Sequence, residues 1–234
     1  MRAVILAGGK GVRLAPLTEV IPKPLVPLGG RPIMEIVIQQ LQRQGFGHLT
    51  LAVGYMADLI QAYFGDGGKF GVKIDYSFES TPLGTVGPLA LINDLGGTFL
   101  VMNADVLTNL PYQELINFHR AHGGLATIGA YRRQTSVDLG VIINGDGYAI
   151  KDYLEKPTST YLVSMGVYIF EPEIINFIKG KGRLDLPDLI KHLLSLGLPV
   201  RYYPFNGLWM DIGRHYDYAR ASEEFQDLRA ALGL

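Results

Sequence analysis

Val4-Ile5-Leu6-Ala7-Gly8-Gly9-Lys10-Gly11-Val12-Arg13-Leu14 is the stretch whose reading decides the fold. Its first three residues form a short, unbroken apolar run, the pattern of a strand buried on both faces of a parallel sheet. The glycines that follow let the backbone approach an anion closely and aim several N–H groups at it. In an α/β sheet the turn after the first strand is the usual phosphate position. Neither standard phosphate motif is complete, however. The dinucleotide fingerprint requires a third glycine where Leu14 stands, and the Walker loop requires Gly-Lys-Ser/Thr. Taken alone, the segment reads equally well as a plain tight turn.

Outward from this turn the chain alternates. After a Pro- and Gly-rich loop, Pro32 suits a first helical turn, Ile33, Met34, Val37, Ile38 and Leu41 share one helical face, and Gly45 ends the helix. Leu49–Val53 reads as strand, Ala57–Phe64 as helix, Val72-Ile74-Tyr76 as strand, and Gly84–Ile92 as a helical stretch. Phe99–Met102 is another apolar strand and Pro111–His122 another helix. Past residue 125 strands dominate, at Ala126–Tyr131, Val141–Ile143 and Tyr161–Phe170, with helices expected near Glu171–Ile178, Pro187–Leu196 and Ala219–Leu232. The expectation is an α/β fold: a Rossmann-like mixed, mostly parallel sheet with helices on both faces and a strand-rich second half. No repeat or linker interrupts it, so residues 1–234 are expected to form one domain.

Composition narrows the function classes. A net charge of −1 gives no electrostatic footprint for nucleic acid or an anionic membrane. With no cysteine, disulfides, iron–sulfur clusters and thiolate zinc are excluded, and a reducing cytoplasm is the expected location. The amino-terminal apolar run is too short for a secretory signal, and nothing approaches the ~20 residues of a membrane span. The five histidines show no metal-ligand spacing.

The chemistry-bearing segment extends past Leu14. Arg13 is followed by Pro16-Leu17-Thr18 and then by Pro22-Lys23-Pro24-Leu25-Val26-Pro27. Prolines on both sides restrict the backbone around Lys23, and a preset cation suits a polyphosphate. Taken together, Gly-Gly-x-Gly-x-Arg-Leu-x-Pro-Leu-Thr and Pro-Lys-Pro-Leu-x-Pro resemble the signature of the sugar-1-phosphate nucleotidylyltransferases. The resemblance continues in order through Tyr76–Leu89, Phe99–Val106, Glu155-Lys156-Pro157, Val163–Tyr168 and Trp209-Met210-Asp211-Ile212-Gly213. It covers roughly residues 3 to 225 and implies the nucleotide-diphospho-sugar transferase type of sheet. No β-helix extension of the kind many relatives carry is expected after the Trp209–Gly213 motif.

What the resemblance implies is a transfer of a nucleoside monophosphate from a nucleoside triphosphate to a sugar 1-phosphate, with Mg²⁺ and with pyrophosphate released. Arg13, Lys23 and Asp105 are the implied catalytic residues. The nucleotide is expected on Leu6, Ala7, Gly8, Gly9, Gly11, Glu79, Pro82, Gly84, Thr85 and Asn103. The sugar phosphate is expected on Gly140, Glu155, Lys156 and Ser164, where many relatives have asparagine at the position of Ser164. Asp105 follows four apolar residues, which puts it at the carboxyl end of a strand, where such sheets hold ligands. Paired with Asp211, it suits Mg²⁺, which takes few carboxylates and completes its shell with phosphate oxygens and water.

The base is read from Glu79. Relatives using uridine or thymidine triphosphates commonly carry glutamine there, whose amide both donates and accepts. Guanine offers two adjacent donors, N1–H and N2–H₂, which a carboxylate accepts together. Glu79 and the run Leu83-Gly84-Thr85-x-Gly87-Pro88-Leu89 also resemble the mannose-1-phosphate guanylyltransferase branch. GTP with a mannose- or heptose-like 1-phosphate is therefore favoured. UTP or dTTP with a glucose or amino-sugar phosphate is the alternative. A regulator that binds without turnover and a nicotinamide oxidoreductase are more distant ones. Tyrosines and phenylalanines suit either a subunit interface or the core, so a homo-oligomer is left open.

Overall fold

In the computed structural model, which describes residues 1–233, thirteen strands and seven α-helices follow one another. They are β1 (Arg2–Ala7), α1 (Leu17–Val20), β2 (Pro27–Leu28), β3 (Arg31–Pro32), α2 (Ile33–Arg43), β4 (His48–Val53), α3 (Ala57–Phe64), β5 (Lys73–Phe78), β6 (Phe99–Asn103) and β7 (Val106–Thr108). Then come α4 (Tyr112–His122), β8 (Ala126–Ser136), β9 (Val141–Asn144), β10 (Ile150–Leu154), β11 (Thr158–Phe170), α5 (Leu186–Ser195), β12 (Val200–Phe205), β13 (Trp209–Asp211), α6 (His215–Glu223) and α7 (Phe225–Ala231).

Seven strands form the central sheet in the order β12-β8-β11-β6-β1-β4-β5. All neighbours run parallel except at β11, which is antiparallel to both β6 and β8. Alternate residues of each strand therefore feed two cores. Ala3, Ile5, Leu49, Leu51 and Met102 meet α2, α3, α4, α6 and α7 on one face. Val4, Ala52, Val101 and Phe170 meet α5 and two short 3-10 segments on the other. Helices on both faces of a mostly parallel sheet are the architecture that the alternating pattern predicts.

Helix α2 illustrates why these residues form these elements. Ile33, Met34, Ile36, Val37, Ile38 and Leu41 are all fully buried, and each such side chain contributes about 1.5–3 kcal/mol over exposure. Glu35 in the first turn and Arg43 in the last complement the helix dipole. The helix stops in a paired motif: Gly45 N–H donates to Gln42 O and Phe46 N–H to Leu41 O, both at 3.0 Å. Gly45 carries φ +89° there, the left-handed turn that this ending requires.

Three expected elements come out differently. The stretch Gly84–Ile92 is a 3-10 helix over Gly87–Leu91 only, and Glu171–Ile178 is a 3-10 helix over Pro172–Phe177. The terminal helix divides at Glu224 into α6 and α7, and the ring of Phe225 lies where a side chain on Gly29 would stand. The structure also adds β10 and β12. Strands β9 and β10 pair only with each other and form an exposed hairpin. Among the described residues no helix is long and apolar enough to cross a membrane.

Candidate active site

The chain reverses direction across the sheet between β1 and β6, so the carboxyl ends of these strands open a crevice. After β1 the backbone runs through Gly8 and Gly9 to a 3-10 turn at Val12–Leu14. Leu14, fully buried, anchors that turn, and its N–H donates to Gly11 O at 2.8 Å. Gly11 has φ +64°, and a Cβ there would lie 3.0 Å from both Lys23 Cβ and Thr18 Cγ2. The loop is thus packed tightly onto the segment that carries Lys23, while Arg13 stays exposed on the cavity wall.

A second short turn, Lys23–Leu25, is held by the buried Pro24. From it Lys23 Nζ donates to Asp105 Oδ2, with both side chains about seven-eighths buried (13% and 15% exposed). Asp105 sits just past β6, where Ala104 N–H donates to Leu6 O at 3.2 Å. Strand β13 pairs with β7 so that Asp211 lies opposite Val106, and Ile212 N–H donates to Asp105 O at 3.0 Å. Gly213 leaves room for Arg13, whose guanidinium nitrogen would be 3.1 Å from a Cβ there. Four charged groups from four segments therefore converge.

Their electrostatics are uneven. Burial raises the Asp211 pKa, and the Asp105 carboxylate raises it further, against the opposing pull of Lys23 and Arg13. Asp211 Oδ1 is buried with no hydrogen-bond partner. Such an orphaned acceptor is costly unless something positive completes it. The pair Asp105 and Asp211 therefore fits a hard divalent cation, which would also draw on phosphate oxygens. Burial likewise raises the pKa of Tyr168, whose hydroxyl is 3.1 Å from Ser164 Oγ and which feels both carboxylates.

The cavity has a volume of about 490 Å³. Leu6, Ala7, Gly8, Gly9, Gly11, Arg13, Lys23, Glu79, Pro82, Gly84, Thr85, Asn103 and Asp105 all line it. Glu79 follows β5, which β1 and β4 separate from β6 in the sheet, and accepts the Leu83 N–H at 3.0 Å. A Cβ on Gly54 would lie 2.7 Å from Glu79 Oε1, and one on Gly8 would collide with the same oxygen. Two bare glycines thus make space for this carboxylate.

Asp211 is not in the cavity lining, although Gly213 two residues on is, and Asp105, Lys23 and Arg13 act on its carboxyl electrostatically. The sugar-side candidates also stand outside the lining. Ser164 sits at an irregularity in β11, where pairing with β8 is interrupted between Ser164 and Tyr168. Gly140 lies against the Tyr153 hydroxyl. Glu155 is exposed beyond β10, and Lys156, at φ +44°, pairs with Asp138 at 2.8 Å. Two residues not singled out from the sequence, Arg183 and Asp185, also line the cavity. Only Pro187 at a helix start hinted at that segment, and nothing local indicated where it docks.

The family described as nucleotidyl transferase matches residues 2–227. The chain belongs to the nucleotidyl transferase family. Among curated relatives of this nucleotidyl transferase, UTP–glucose-1-phosphate uridylyltransferase from Synechocystis is 36% identical, over 94% of this chain and 62% of that protein. Mannose-1-phosphate guanyltransferase from Saccharomyces cerevisiae is also 36% identical, over 93% and 63% respectively. The chain thus spans somewhat under two thirds of the length of these relatives. A crystal structure of HddC from Yersinia pseudotuberculosis complexed with GMP-PN superposes with a TM-score of 0.73 at 25% identity, covering 96% of this chain and 99% of that one.

Proposed function

We propose that this nucleotidyl transferase moves a nucleoside monophosphate, GMP by preference, from the triphosphate to a mannose- or heptose-like sugar 1-phosphate with Mg²⁺. The carrying observation is a cavity lined by Arg13, Lys23, Asp105 and Glu79, with the Asp211 carboxyl electrostatically coupled to the first three. A phosphate oxygen of the sugar 1-phosphate attacks the α-phosphorus in line. The bond from the α-phosphorus to the bridging oxygen breaks, and pyrophosphate leaves with that electron pair. No covalent intermediate on the protein is required.

The catalytic task is to bring two polyanions together and to stabilise charge at the α-phosphate and leaving group. Arg13 carries forked donors matched to β- and γ-phosphate oxygens. Lys23, which pairs with Asp105, holds the α-phosphate and the incoming phosphate in this reading. Held by Asp105 and Asp211, Mg²⁺ would neutralise phosphate charge and orient the triphosphate. Glu155 accepts from sugar hydroxyls, Lys156 contacts the sugar phosphate, and Gly140 and Ser164 face the sugar.

Two observations favour guanine: the carboxylate at Glu79, and the structural likeness to HddC, which was solved complexed with GMP-PN. The uridylyltransferase relative at the same identity as the yeast guanyltransferase supports UTP as the second reading. Pyrophosphate release decides between them, measured with GTP, UTP, dTTP, CTP and ATP against mannose, heptose and glucose 1-phosphates. Turnover with GTP is expected. Turnover confined to UTP or dTTP would keep the reaction and overturn the guanine assignment.

A further inference from the structure

The loop before α5 is fastened to the base-side segment by backbone and side-chain bonds from both strands of chain. Leu184 N–H donates to Leu83 O at 2.8 Å, and the Val86 and Gly87 N–H groups donate to Leu184 O at 3.1 and 3.2 Å. Thr85 N–H donates to Asp185 Oδ1 at 2.9 Å, and Leu186 N–H returns to Thr85 Oγ1 at 2.7 Å. Leu83 is also the residue whose N–H holds Glu79 Oε2. One residue therefore links the Glu79 carboxylate to the peptide adjoining Arg183.

This fastening brings Arg183, on chain bonded to the Leu83–Gly87 segment, into the lining of the cavity that Glu79, Pro82 and Thr85 also line. Its guanidinium is loosely engaged: the pairing with Asp185 is 3.7 Å long and the side chain is 72% exposed. Asp185, pinned by Thr85, keeps the guanidinium near the base segment without saturating its five donors.

We propose that Arg183 is a specificity-determining residue, which donates to O6 and N7 of a guanine base whose N1–H and N2–H₂ are accepted by Glu79. This inference rests on the guanylyl reading of the site and deepens it. Guanine alone among the five bases presents two acceptors beside two donors along contiguous edges. A carboxylate and a guanidinium together match all four, and a forked Arg contact to O6/N7 is the commonest specific contact to guanine. Adenine would set its N6 amino group against the guanidinium, donor against donor. Uracil keeps one acceptor for it and lacks an N7 counterpart. A single carboxylate reads half of the base, and the pair reads the whole of it.

The test compares the wild-type chain and Arg183→Ala with GTP, ITP and 7-deaza-GTP, by calorimetric Kd and by pyrophosphate release. Wild type is expected to bind 7-deaza-GTP roughly 10-fold less tightly than GTP, the loss of one good contact of this kind. Arg183→Ala is expected to bind the two alike while keeping the penalty for ITP, which lacks the N2 donors read by Glu79. That retained penalty shows the pocket is still formed. If wild type is indifferent to 7-deaza substitution, or Arg183→Ala keeps the same penalty, the Arg183 assignment is overturned while GTP turnover stands. If GTP neither binds nor turns over and UTP does both, the guanylyl reading itself falls, and this inference with it.

Discussion

At Asp211, burial and the neighbouring Asp105 act together to raise the pKa above its ordinary value of 3.8. A group whose folded-state pKa is raised contributes stability below its unfolded pKa and loses it as pH rises through the folded value. Ionisation of Asp211 as pH rises therefore costs the metal-free chain stability, with its Oδ1 buried and unpartnered. Asp211→Asn is expected to raise the melting temperature at pH 7 in EDTA, with the advantage shrinking toward pH 4. The same change is expected to abolish both the Mg²⁺-induced rise in melting temperature and turnover. Scanning calorimetry with and without Mg²⁺ checks both. A variant that melts lower than wild type at pH 7 in EDTA would refute the account of Asp211 as a burdened carboxylate.

At the scale of elements, the join between the Leu83–Gly87 segment and the α5 loop depends on Gly84. It has φ +81°, and a Cβ there would stand 2.5 Å from Leu184 O. Gly84→Ala thus adds a clash to backbone strain, which by itself costs on the order of 1–3 kcal/mol. Gly180→Ala separates the two effects, because Gly180 has φ +78° with nothing within 4 Å. Gly84→Ala is expected to lower the melting temperature further than Gly180→Ala, by about 2–4 °C for each added kcal/mol. It alone is expected to weaken GTP binding. Equal effects of the two would show that the close approach to Leu184 is unimportant. The same join explains why Gly84–Ile92 yields only a short 3-10 helix, since Leu83–Gly87 bonds to Leu184 and Asp185 instead. Periodicity served well where an element buries one continuous face, as in α2 and α3. It failed at β12, where Pro204 argues against a strand, yet an edge strand tolerates proline. In β10 the register shift between Ile150 and Asp152 breaks the alternation that would have marked it.

Across the whole molecule, much of the cavity lining was legible because its residues crowd into contiguous stretches at or just after the ends of strands β1, β5 and β6. The ion pair of Lys23 with Asp105 and the docking of Arg183 left no local pattern, since each joins segments far apart in sequence. The residues proposed for the sugar side rest on resemblance alone, and the structure sets Glu155 and Lys156 in exposed chain outside the cavity lining. Lys156 is 60% exposed and paired with an Asp138 that is 88% exposed, so water weakens that pair and leaves the ammonium free to exchange partners. Its positive φ is a strained setting for a lysine. If the two substrates are held by separable parts of the molecule, Lys156→Ala should leave the Kd for GTP within about 2-fold of wild type while lowering kcat/KM for the sugar 1-phosphate by roughly 10²-fold, the scale of losing one phosphate-directed donor. Asp138→Asn, which releases the ammonium, should leave kcat/KM unchanged or raise it. Calorimetry with GTP and initial rates against sugar phosphate measure the two sides independently. A parallel loss of GTP affinity in Lys156→Ala would mean that the exposed strands and the nucleotide cavity act as one binding unit, contrary to the division drawn from their geometry.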